Sequence, residues 1–100
     1  MEYEWDQNKR DINLSKHGLD FIISYKIYES DDKLTIPSDY TNEQRWIDIA
    51  PVGKELLVLT MVYTYREERV RIISLRRASK EERRLYNDKR KSCQIQQWSA

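Results

Sequence analysis

One hundred residues make a single domain near the lower end of comfortable core size, with no room for a second module. Charged residues are 35% of the chain, and glycine and proline number two each, which excludes a disordered or low-complexity chain and suits a compact domain with a heavily solvated surface. The single Cys93 excludes an intrachain disulfide and a cysteine-built metal cluster, the acidic start Met1-Glu-Tyr-Glu-Trp-Asp6 is unlike a signal peptide, and the longest apolar run, within Leu56 to Val62, is far short of a membrane span. A cytoplasmic protein of a reducing compartment is expected.

The elements follow in chain order. Glu2 to Trp5 alternates polar and aromatic residues, as a short strand would. Asp6 is a suitable N-cap for a helix to about Lys16, closed by Gly18 where a left-handed residue is needed. Residues 20 to 28 read both ways: Phe21, Ile23, Tyr25 and Ile27 alternate like a strand, whereas Phe21, Tyr25 and Tyr28 keep helical spacing. Asp20 as N-cap favours a helix. Four strands are expected next: Lys33 to Ile36, stopped by Pro37; Arg45 to Ala50; Glu55 to Tyr65 after a turn at Val52-Gly53-Lys54-Glu55; and Arg69 to Leu75 after the turn Arg66-Glu67-Glu68. The near-continuous apolar run from Leu56 reads as a central strand covered on both sides. Ser79 and Glu82 make a capping box that starts a final helix to about Arg90. The order β-α-α-β-β-β-β-α, with hairpin-length links, predicts an α+β fold with an antiparallel sheet.

Charge is unevenly placed. Residues 1 to 65 hold 7 Lys/Arg against 12 Asp/Glu, and residues 66 to 100 hold 11 against 5. Either the fold has a basic and an acidic face, or the two segments pair with each other. The arginines concentrate in Arg69-Val-Arg-Ile-Ile-Ser-Leu-Arg-Arg77 and the helix that follows. Arginine's rigid, always-charged fork suits phosphate, which points to an RNA or DNA backbone. An uninterrupted pleat sets Arg69 and Arg71 on the face of Ile73 and Leu75, and Arg76 on that of Val70 and Ile72. Arg71 would then lie at the rim of the core and need an anion, either Asp48 or Glu43 within the protein or a phosphate outside it.

Other residues carry weaker signals. His17, the lone histidine, precedes a glycine and has no metal or nucleophile partner at useful spacing. Cys93 has no base nearby in sequence and reads as a bystander. Trp5 and Trp46 read as core anchors before stacking platforms. Tyr86, one helical turn past Arg83, either moves a proton or stacks a base with its pKa lowered by the arginines, or pins the last helix to the sheet.

Tyr3-Glu-Trp-Asp6, Lys9, Asn13, Lys16-His-Gly18 and Phe21 together resemble the signature of the BrnT-like toxins. So do Glu43-Gln-Arg-Trp46, Val62-Tyr-Thr64, Arg71-Ile-Ile-Ser-Leu-Arg-Arg-Ala-Ser79, Glu82-Arg83 and Tyr86. These are ribonuclease partners in type II toxin–antitoxin pairs, and the resemblance covers about residues 1 to 90, a domain of 1–91 with a tail of 92–100. It implies a RelE-like fold: two N-terminal helices, a four-stranded antiparallel sheet and a C-terminal helix. It further implies a metal-independent, cofactor-free endoribonuclease that inhibits translation and growth. A BrnA-like antitoxin would neutralise it, in a homodimer or heterotetramer that binds operator DNA through the antitoxin. In such enzymes the RNA 2′-hydroxyl attacks the adjacent phosphate while basic side chains stabilise the added charge. The resemblance assigns Arg66, Arg71 and Arg76 to that stabilisation and Tyr86 to proton transfer or stacking. Glu67 is the alternative base and His17 a third, with Arg69, Arg77, Lys80 and Arg83 on the RNA backbone.

Two departures from the family pattern stand out. Arg66-Glu67-Glu68 occupies a turn that usually contains glycine, and the tail beyond Ser92 lies outside the shared region, with Ile95 and Trp98 free to dock on the domain or a partner. A function of another class uses the same basic face without cleavage, as a degenerate toxin or a small nucleic-acid-binding module.

Overall fold

The computed structural model describes residues 1–40 and 42–98. The chain runs through β1 (Tyr3–Trp5), α1 (Gln7–His17), a 3-10 turn (Phe21–Ile23) continuous with α2 (Ser24–Tyr28), then β2 (Leu34–Tyr40), β3 (Glu43–Val52), β4 (Leu57–Arg66), β5 (Arg69–Arg77) and α3 (Lys80–Trp98). The α+β class and the element order are those expected from sequence. The sheet is not: it has five strands in the order β1-β5-β4-β3-β2, and β1 runs parallel to β5 while the remaining pairs are antiparallel. The expected four-stranded antiparallel sheet therefore gains a mixed edge. Hairpin-length links dictate antiparallel pairing only between consecutive strands, and β1 reaches β5 from the far end of the chain.

Local chemistry explains most boundaries. The Asp6 carboxylate accepts from the N–H groups of Asn8 and Lys9 at 2.9 and 3.2 Å, and Gly18, at φ +69, donates its N–H to the Leu14 carbonyl. Asp20 caps the 3-10 turn through the Ile22 N–H and takes a two-point bond from Arg10 at 2.8 and 3.0 Å, which ties α1 to the next turn. Because that segment begins with three residues per turn, it buries Phe21, Ser24 and Ile27, while Tyr25 of the anticipated helical stripe is exposed. β2 passes through Pro37 to Tyr40 instead of ending there, since it is an edge strand and an edge can lose a ladder donor. α3 extends to Trp98, beyond the anticipated end at Arg90. The side chains of Cys93, Ile95 and Trp98 lie outside the described residues.

The core lies on the face of the sheet that carries Leu59, Met61 and Tyr63 of β4, together with Ala50, Val70, Ile72 and Leu75, beneath Phe21 and Ile27. Trp5 and Trp46 pack half-buried against it. Asp48, wholly buried on this face, accepts from Lys33, Thr35 and Tyr63 at 2.8, 2.7 and 3.0 Å. It is therefore committed, and not available to Arg71.

A β-bulge decides what β5 presents. Tyr63 stands opposite Ile72 and Val62 opposite Ser74, so Ile73 has no partner on β4. The extra residue shifts the alternation: Val70, Ile72 and Leu75 are all buried in one core. The uninterrupted pleat expected from sequence is corrected accordingly. Arg71 sits on the face opposite the core, not at its rim.

Candidate nucleic-acid interface

The second face of the sheet is divided by α3. Near the helix start, Ile49 and Thr60 of the sheet and Tyr86 of α3 are buried. Further along the same strands, Arg66, Thr64 and Val62 of β4 share this face, and β5 contributes Arg69, Arg71 and Ser74 opposite them. These residues, with Arg45 and Ile47 of β3, form a half-face rich in arginine.

Each arginine is held differently. Arg71 lies beside Glu4 of β1, its register partner, and donates one bond to it from Nη1 at 3.0 Å; the side chains are 24% and 26% exposed. A guanidinium has five donors, so Glu4 orients Arg71 and leaves other N–H groups available. Arg69 donates to Glu2 at 2.9 Å in a more exposed pair. Arg66 faces Arg69 across the hairpin, exposed, with no carboxylate in ion-pair range among the described residues. Glu43, the other anticipated partner of Arg71, is taken by Arg45 at 3.0 Å. The acidic and basic segments thus pair with each other along β1 and β5, through residues the sequence reading left unassigned.

Arg76 ties the start of α3 to β5. Its two Nη atoms bond both Glu82 oxygens, at 2.6 and 2.8 Å, and Glu82 also accepts from the Ser79 N–H and the Thr60 hydroxyl. The Ser79 hydroxyl in turn accepts from the Glu82 N–H at 3.2 Å, so the capping box is present and Arg76 completes it. The Arg76 guanidinium, together with the Ser79 N–H, holds the Glu82 carboxyl down at about 2. Tyr86 is 2% exposed and its hydroxyl has no hydrogen-bond partner among the described residues. Burial raises its pKa, the opposite of the lowering expected from a positive field. Arg77 is exposed opposite Leu59, on the other face from Arg71, and Lys80 and Arg83 are exposed on the first turns of α3. Glu67 and Glu68 make a two-residue turn with φ +52 and +67.

His17 stands apart from this half-face. It lies exposed at the end of α1 and lines, with Lys9, Ile12, Asn13, Lys16, Ile73 and Ser74, an open cleft of about 260 Å³ against β5. Trp46 lines a separate shallow recess with Gln44, Thr64 and Tyr65. Among the described residues no three His, Cys, Asp or Glu side chains meet as metal ligands, and no helix is long and apolar enough to cross a membrane. Sequence reasoning missed Glu2, Glu4 and Ser74. The alternation of Glu2 and Glu4 with Tyr3 and Trp5 matches that of Arg69 and Arg71, which was the available signal.

No curated protein matches this chain. The family model described as ribonuclease toxin, BrnT, of type II toxin–antitoxin system matches residues 5–82, which include the Arg71 and Arg76 positions and the capping box. An arginine-lined half-face on a small α+β sheet is in keeping with that description. The chain belongs to the BrnT family of ribonuclease toxins.

Proposed function

We propose that this protein is the toxin of a type II pair, a metal-independent endoribonuclease that cuts RNA on the arginine-rich half-face. The carrying observation is Arg71, fixed by one bond to Glu4 with its remaining donors free, beside the unpaired Arg66. The RNA 2′-oxygen attacks the neighbouring phosphorus and the bond to the 5′-oxygen breaks, leaving a 2′,3′-cyclic phosphate and a 5′-hydroxyl. Arg71 and Arg66 stabilise the added negative charge, with Arg69 on the flanking backbone. Glu67, in the turn beside Arg66, receives the 2′-hydroxyl proton, and solvent water protonates the departing 5′-oxygen. Arg76 and Tyr86 hold α3 on the sheet and act on the site through its shape. A BrnA-like antitoxin silences the enzyme by covering the half-face in the cytoplasm, and operator DNA binding belongs to the antitoxin of the complex.

Purified, antitoxin-free protein in EDTA should convert single-stranded RNA to fragments with cyclic phosphate ends and leave the matching DNA intact. A folded protein that binds RNA and never cuts it would sink the enzymatic reading. The burial of Tyr86 favours that second reading, a binding module on the same face.

A further inference from the structure

The outer edge of β5 is covered in two pieces. β1 pairs with Val70 to Ile72 and ends at Trp5. Asn13 of α1 takes the two main-chain groups of Leu75, accepting from its N–H at 3.1 Å and donating to its carbonyl at 2.7 Å. Between these pieces lie the bulged Ile73 and Ser74, which form one wall of the cleft of about 260 Å³. The opposite wall is one face of α1, where Lys9, Asn13 and Lys16 recur at helical spacing. Neither lysine has a carboxylate in ion-pair range among the described residues, and the Ser74 hydroxyl makes no hydrogen bond there. Lys9, Lys16 and Ser74 border a cleft with apolar walls from Ile12 and Ile73, and the described residues supply them no anion.

We propose that this cleft is a second RNA subsite, which holds a backbone phosphate between Lys9, Lys16 and Ser74 while Ile12 and Ile73 lie against the adjoining nucleoside. The inference rests on the ribonuclease reading. Register places Ser74 on the same sheet face as Arg71, because their partners Val62 and Thr64 are alternate residues of β4. Three residues of strand separate them by about 10 Å, so one strand of RNA reaches both. That shared face favours RNA over an acidic segment of a protein partner.

The test measures binding of a short 2′-O-methyl single-stranded RNA, which lacks the attacking hydroxyl, across a salt series. Lys9 and Lys16 are exposed on α1, so the variant K9Q/K16Q keeps the fold. It should bind about tenfold more weakly, with the slope of log affinity against log salt reduced by about 0.7, the loss of one single-strand phosphate contact. K9R/K16R should restore both. Amide signals of Ile73 and Ser74 should move on titrating wild type with this RNA and stay still in K9Q/K16Q. Wild-type affinity and slope in K9Q/K16Q would overturn the subsite, leaving a carboxylate-bearing protein as the occupant, while weakened binding by R71A in the same series would leave the ribonuclease reading standing. Wild type that neither binds this RNA nor cuts its unmodified counterpart overturns both.

Discussion

Arg71 gives Glu4 one of its bonds, whereas Arg76 gives Glu82 two and so ties the start of α3 to β5. R71A should lower RNA cleavage about 10²- to 10³-fold, the usual effect of removing one donor from a developing oxyanion, with little change in melting temperature. Single-turnover cleavage alongside thermal melts checks both. Tyr86 makes the contrary case. Its buried hydroxyl is unsatisfied, so Y86F should leave cleavage unchanged and keep or slightly raise stability, while Y86A should cost about 3–5 kcal/mol by opening a cavity. Loss of cleavage in a stable Y86F protein would return Tyr86 to the chemistry.

At the level of elements, the junction of β5 and α3 is an electrostatic clasp. The Glu82 carboxyl is depressed to about 2 from its ordinary 4.5 by Arg76, so its contribution is fully present above the unfolded value and is lost as pH falls from 4.5 through 2. Wild type should therefore lose about 2–3 kcal/mol more stability than E82Q between pH 6 and pH 2 in urea melts. An equal loss in the two proteins would remove the clasp from the account. The β4–β5 turn points the other way. Glu67 and Glu68 both adopt left-handed backbone, which the twist of a two-residue hairpin demands and glycine adopts without strain. E68G should stabilise by about 0.5–1 kcal/mol, raising the melting temperature by several degrees, with cleavage intact.

For the molecule as a whole, folding carries two acids of the N-terminal segment onto two arginines of the basic one. Glu2 and Glu4 cross from the acidic segment to sit beside Arg69 and Arg71, and they temper the basic half-face. E2Q/E4Q should thus bind 2′-O-methyl RNA several-fold more tightly at low salt, with the difference fading as salt rises, since the gain is electrostatic. Anisotropy titrations at two salt concentrations measure it. The stability cost of losing the exposed Glu2 pair should stay within about 1 kcal/mol.

Much was legible in the chain itself where the cause is local. Asp6, Gly18, Asp20 and the Ser79–Glu82 box set helix ends through bonds that reach two to four residues along the chain, and the order of elements follows from them and from hydrophobic period. Family membership is also a property of the sequence, carried by motifs at fixed spacing. Tertiary structure decided the rest. A three-residue strand has no period to read, so β1 joins β5 only because the folded sheet offers it an edge, and Glu4 meets Arg71 across 67 residues. The bulge at Ile73 arises from the register of two strands together, and it moved Leu75 into the core and opened the cleft beside α1. Tyr86 looked like a reactive group among arginines until helix packing buried it. Types and spacings of charged residues were written in the chain; which of them remain free for a ligand depended on long-range pairing, which only the fold supplies.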